Sequence, residues 1–186
     1  MLWDKQRRTI VNNESADILR MFNSGFGALA DDAIDLCPAP LAAQIDALND
    51  EIYPRLNNGV YRAGFATTQA AYEEAFGEIF GMLGSLETRL AAGGPFLFGE
   101  GLVETDIRLF VTLIRFDTAF HGLFKCKLRR IRDYPALTAW LKRMMAVRGL
   151  RETVRIDHIK HAYYSIKALN PDGIVPLGPD LSDLRL

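Results

Sequence analysis

The sequence predicts a mostly α-helical protein led by a short α/β piece. Three observations carry this. Two short apolar runs, Leu2-Trp3 and Thr9-Ile10-Val11, stand either side of polar turn residues. They lead straight into the helical pattern Ile18, Leu19, Met21, Phe22, and everything after about residue 38 reads as helix. Two strands and one helix cannot close a core, because a lone hairpin is marginal in water. Residues 1–30 are therefore expected to be the closing edge of an α/β domain whose beginning this sequence does not contain. A linker at 31–39 and a complete helical domain at 40–186 are expected to follow.

The elements follow in order. Asp31-Asp32-Ala33-Ile34-Asp35-Leu36-Cys37-Pro38-Ala39-Pro40 is acidic and Pro-bearing, as a linker would be. Leu41, Ile45, Leu48, Ile52 and Leu56 give a helix from about Pro40 to Leu56. Asn57 to Ala66, with Gly59 and Gly64, reads as a polar, Gly-rich loop. Thr67 or Thr68 can cap the next helix, whose apolar stripe runs Tyr72, Ala75, Phe76, Ile79, Phe80, Leu83, Leu86, Leu90 before Gly93-Gly94-Pro95 ends it. Val103-Glu104-Thr105-Asp106 opens a buried helix through Val111, Leu113, Ile114 and Phe116. Pro135 opens another, and Asp157 to Leu169 forms the last. The Pro- and Gly-rich end from Asn170 is expected to lie along the surface without helix.

Bulk numbers exclude several classes. The chain has 186 residues, 49% of them hydrophobic, which is enough for a large core. The net charge of −1 leaves no basic excess for nucleic acid. No apolar run reaches spanning length, and the start has no secretory h-region. Two cysteines, Cys37 and Cys126, make neither a C-x-x-C motif nor a disulfide framework, which fits a reducing cytoplasm.

Few residues point to chemistry. Glu14-Ser15 at a helix start admits two readings: Ser15 as a cap beside a solvated acid, or a site where a ligand carboxylate meets free N–H groups while Glu14 answers an ammonium. Tyr61 either faces a cleft as a hydrogen-bond donor or packs on a domain seam. Of Tyr163 and Tyr164 only one can face a pocket, since neighbours on a helix point about 100° apart. Tyr163 follows Ile159 at i+4, on the side expected to be closer to the core, and is chosen; Tyr164 is the alternative. Cys37 reads as a linker thiol and Cys126 as a buried one. His158 and His161 lack metal-ligand company, so no metal is expected. Arg115 and Asp117 are expected to join a buried ionic network.

Several stretches together carry a resemblance: Leu2-Trp3-Asp4-Lys5, Asn13-Glu14-Ser15, Asn57-Asn58-Gly59-Val60-Tyr61-Arg62-Ala63-Gly64-Phe65-Ala66, Phe124-Lys125-Cys126-Lys127-Leu128-Arg129-Arg130-Ile131, Asp157-His158-Ile159-Lys160 with Tyr163-Tyr164, and Gly173-Ile174-Val175-Pro176. Over essentially the whole chain this resembles the glutathionyl-hydroquinone reductases, the Xi-class glutathione transferases. The resemblance implies a glutathione-transferase C-terminal-like helical domain preceded by a partial thioredoxin-like α/β remnant. It implies that Glu14 and Ser15 bind the γ-glutamyl end of glutathione, and that Tyr61 and Tyr163 bind a phenolic or quinol ring. The implied reaction resolves a glutathionyl-hydroquinone with a second glutathione, giving hydroquinone and glutathione disulfide. Glutathione is the co-substrate, and a cytoplasmic homodimer is expected. The family's nucleophile lies in a Cys-Pro-Trp-Ala motif absent from this sequence, so the chain alone is expected to be inactive. The family also places a Ser or Thr cap three residues before the Asp of the buried helix. Here that position is Val103, so a missing cap hydroxyl is expected to weaken the helix start. The alternative is a non-catalytic transferase-like module that binds protein partners.

Overall fold

The computed structural model describes residues 1–29 and 34–182. Asp31, Asp32 and Ala33 of the expected linker, and the last four residues of the chain, lie outside the described residues.

The chain opens with β1 (Leu2–Asp4) and β2 (Thr9–Asn12), antiparallel and two-stranded, with an irregularity between Leu2 and Trp3. The polar turn is fastened by Asp4, whose carboxylate accepts the N–H groups of Gln6 and Arg7 at 2.8 and 2.9 Å. Arg8 completes it in the left-handed region, at φ 53°. α1 (Ser15–Arg20) follows and continues into a π-helical turn at Met21–Gly25.

The helical body is α2 (Ala42–Ile52), α3 (Gly59–Gly64), α4 (Gln69–Ala92), α5 (Glu104–Arg115), α6 (Pro135–Ala146) and α7 (Ile156–Tyr164). Thr68 caps α4 by accepting the Ala71 N–H at 3.2 Å. The expected stripe of α4 is buried at Ala75, Ile79, Phe80, Leu83, Leu86 and Leu90. It packs on α3, α6 and the Tyr53–Asn57 turn, around Trp140, Phe116, Phe120 and Phe124. Among the described residues, no helix is long and apolar enough to cross a membrane.

Several expectations are corrected. The first helix of the body stops at Ile52 and ends in a π-helical turn at Tyr53–Asn57, where Pro54 interrupts the regular ladder. The segment read as a loop around Tyr61 contains α3. Its glycine serves close packing and not a turn, because a Cβ on Gly64 would stand 2.6 Å from Phe124 Cγ. The last helix spans only Ile156–Tyr164, and the chain continues in turns. Arg115 and Asp117 form no joint network: Asp117 accepts the Ile131 N–H at 2.7 Å, while Arg115 donates to the Val111 carbonyl. Val111, read as part of the buried stripe, is 44% exposed.

The end of the chain lies along the body without helix up to Asp180. The Leu177 carbonyl accepts from Lys160 at 2.9 Å and the Asp180 carbonyl accepts from Arg132 at 2.9 Å.

The start of α5 organises the core. Val103 is its N-cap, and its missing hydroxyl matters less than the sequence suggests. The Asp106 N–H reaches the Val103 carbonyl at 3.0 Å, the Glu104 N–H reaches the Leu36 carbonyl at 2.7 Å, and the Val103 side chain is buried. The buried Asp106 carboxylate accepts three N–H groups: Val103 at 3.1 Å, Leu97 at 3.1 Å and the Trp140 indole at 2.8 Å. Burial raises its pKa above the usual carboxylate range, against the pull of those donors.

Replacing Asp106 with Ala strands three buried donors, so Asp106→Ala should lower the unfolding free energy by about 2–5 kcal/mol. Urea unfolding followed by circular dichroism measures this. An unchanged midpoint would remove Asp106 from the core of the account.

Candidate functional site

The expected site residues fall in two places. The first is a concavity of about 350 Å³ between the hairpin-and-helix start and the helical body. Glu14, Ser15 and Leu19 line one side, and Tyr53, Asn57, Arg108 and Val111 line the other. Glu14, and not Ser15, is the N-cap of α1: its backbone is extended and its Oε1 accepts the Ala16 N–H at 3.3 Å. The Glu14 N–H is in turn held by Asn12 Oδ1 at 2.5 Å. The cap reading of Ser15 is thereby corrected, because Ser15 is already the first helical residue.

What holds α1 against the body is an ionic cluster around a buried carboxylate, which sequence reasoning missed. Glu104, in the first turn of α5, is only 2% exposed. Its two carboxylate oxygens accept from Arg20 Nε at 3.0 Å and Arg20 Nη2 at 2.9 Å, a bidentate pair. Asn49 Nδ2 adds a third donor at 2.9 Å, and Asp46 also binds the Arg20 guanidinium. The hydrogen bonds from Arg20 to Glu104 and Asp46 hold the guanidinium firmly in its charged form. Arg108, one turn along α5, has its guanidinium 4.0 Å from Glu104, while its carbonyl accepts from Asn57 Nδ2 at 3.0 Å.

The second place is an aromatic cluster. Tyr61 on α3 and Tyr163 on α7 come together with their hydroxyls 2.7 Å apart. Phe120 and Phe124 present edges to both rings, at centroid distances of 5.2–5.8 Å. Tyr61 is 38% and Phe65 46% exposed, so the cluster reaches the surface on that side. Burial raises the Tyr163 pKa well above the ordinary phenol value, and the Tyr61 hydrogen bond adds to this; the Arg115 charge opposes it. Either hydroxyl can donate within the pair. Tyr164 is the more deeply buried of the two neighbours, against the expectation that Tyr163 lies closer to the core. Its hydroxyl packs at Gly122, where an added Cβ would meet it at 3.1 Å.

The remaining candidates are quiet. Cys126 is fully buried, and burial pushes its thiol up to about 12. Cys37 is half-buried; burial raises its pKa most, and the Arg20 charge opposes this. His161 Nδ1 is 2.7 Å from the Asp157 carbonyl, and His158 Nε2 is 3.7 Å from the Asp157 carboxylate. Among the described residues, no group of three ligand-type side chains could hold a metal ion.

Comparison with known proteins gives concordant results. Residues 69–143 match the family model for the glutathione S-transferase C-terminal domain. The chain is 48% identical over 180 residues to the glutathionyl-hydroquinone reductase PcpF of Sphingobium chlorophenolicum, covering 96% of this chain and 57% of that protein. It is also 48% identical to the glutathionyl-hydroquinone reductase YqjG of Escherichia coli, covering 96% of this chain and 55% of the relative. The glutathione-bound structure of YqjG superposes with a TM-score of 0.92 over 96% of this chain and 58% of that one. The Xi glutathione S-transferase of Phanerochaete chrysosporium superposes equally well, at 0.92 and 46% identity, over 96% of this chain and 59% of that one. The chain thus spans a little over half the length of the curated relatives it matches.

The tyrosines make an alkaline prediction. Burial raises the pKa values of Tyr163, Tyr164, Tyr72 and Tyr134 in the folded state. The unfolded chain releases these protons near pH 10. Stability is therefore fully present below about pH 10 and is lost as pH rises through the folded values. The thermal midpoint should fall above about pH 10, and Tyr163→Phe should make the fall shallower. A midpoint that stays level from about pH 9 to 11 would contradict this.

Proposed function

We propose that the chain is a relative of the glutathione S-transferases, whose C-terminal-domain model matches residues 69–143, and that it serves a glutathione-dependent reduction of glutathionyl-hydroquinones. The reading rests most on one observation: two tyrosine hydroxyls paired at 2.7 Å at the exposed edge of an aromatic cluster. A quinol ring packs beside the exposed Tyr61 and Phe65 rings, and its oxygen accepts from Tyr61. Tyr163 fixes the Tyr61 hydroxyl and supplies it with a hydrogen bond. Glu14 and Ser15 receive the γ-glutamyl end of glutathione in the neighbouring concavity, with the ligand's ammonium at the Glu14 carboxylate.

The chemistry has two steps. A cysteine thiolate attacks the thioether sulfur, the ring carbon–sulfur bond breaks, and a proton is delivered to that ring carbon. A second glutathione then displaces the resulting mixed disulfide, giving glutathione disulfide and restoring the thiol. Neither thiol of this chain suits the first step. Cys126 is buried with its pKa near 12, and the Cys37 pKa is raised by burial, where a reactive cysteine needs it lowered. The homodimeric state and the cytoplasmic setting belong to the same proposal.

Two outcomes test it. This chain, given a glutathionyl-hydroquinone and excess glutathione, should show no turnover; turnover that disappears in Cys37→Ser would overturn the assignment of Cys37 as a bystander. Tyr61→Phe and Tyr163→Phe keep the rings and delete one hydroxyl each. Each should weaken binding of a glutathionyl-hydroquinone by a few-fold to about tenfold, whereas Tyr164→Phe should leave it unchanged. Calorimetric titration reads this. Loss confined to Tyr164→Phe would move the site to the other face of α7.

A further inference from the structure

We infer that Arg108 is a binding residue for the α-carboxylate of a γ-glutamyl ligand, acting from the helical body across the concavity from Glu14. This deepens the glutathione reading above and rests on it. Three observations carry it.

The first is charge complementarity. A γ-glutamyl end is a zwitterion, with an ammonium and a carboxylate on one carbon. The concavity carries one side chain of each sign, Glu14 from the start of α1 and Arg108 from α5. A wall of one sign would satisfy half the ligand and repel the other half.

The second is availability. Arg20 is committed to Glu104 through two hydrogen bonds and to Asp46 through a further one. Glu104 in turn is satisfied by Arg20 and Asn49, leaving Arg108 only a marginal contact at 4.0 Å. The Arg108 side chain is 24% exposed, enough to present its guanidinium fork to a carboxylate.

The third is fixation. Asn57 Nδ2 binds the Arg108 carbonyl at 3.0 Å, and both residues line the same concavity. Glu104 therefore has two effects on the site: it anchors α1 through Arg20 and lies within reach of the Arg108 guanidinium. The ligand head is gripped from both pieces of the chain, so docking α1 on the body and binding a γ-glutamyl ligand support each other.

The test is calorimetric titration of this chain with glutathione and with 4-aminobutanoyl-cysteinyl-glycine, which lacks the α-carboxylate and keeps the amine. Arg108→Met should weaken glutathione binding by about ten- to a hundredfold and leave binding of the analogue within about twofold. Arg108→Lys keeps the charge without the fork and should lose less than Arg108→Met. Circular dichroism confirms that each variant is folded; if Arg108→Met is not, Arg108→Lys carries the comparison, with a loss for glutathione and none for the analogue. If glutathione binds the unaltered chain but Arg108→Met changes nothing, or weakens both ligands alike, the inference is wrong while the glutathione reading stands. If the unaltered chain binds neither ligand, the glutathione reading itself fails and the inference falls with it.

Discussion

One buried carboxylate ties the molecule together. Glu104 is withdrawn from water at the first turn of α5, where its charge would be costly unpaired. Arg20 answers it with both arms of its fork and Asn49 with a third hydrogen bond. The three partners come from α1, α2 and α5, so the cluster fastens the strand-bearing start to the helical body at a single point. Such a pair adds little net stability relative to an apolar contact, because desolvating the Glu104 carboxylate offsets much of the attraction, while Arg20 stays 44% exposed. Its effect is on geometry: a bidentate pair on a buried carboxylate tolerates few arrangements, so it sets where α1 lies. The concavity lined by Glu14, Ser15 and Arg108 exists only in that arrangement.

The aromatic cluster depends on a different constraint, the close approach of α3 to Phe124. Gly64 lets Phe124 pack on the α3 backbone, and this packing brings Tyr61 to Tyr163. The exposed Val111 on α5 lines the first concavity on one side and, on the other, a further hollow shared with Arg115 and Ile159.

The sequence made the local periodicities legible and left the long-range pairings hidden. The hairpin, the Thr68 cap and the buried stripe of α4 follow from spacing alone. α3 was missed because flanking glycines signal a turn in one dimension, whereas Gly64 answers a contact with a residue far along the chain. Val103 looked like a defective cap because the Leu36 carbonyl, which takes the Glu104 N–H, cannot be read from the local pattern. Arg20 and Glu104 are 84 positions apart, and each alone reads as a solvated helix charge. Tyr61 and Tyr163 could be singled out as donors, but their meeting is a property of the fold.

The central claim is that Glu104 holds α1 on the helical body. Native-state amide hydrogen exchange on Glu104→Gln tests it most directly, because it resolves local opening from global unfolding. The account predicts that the amides of Ile18 to Arg20 exchange about tenfold faster or more, while those of α4 and α6 keep their protection. Unchanged exchange in α1, or equal loosening of α4 and α6, would contradict it.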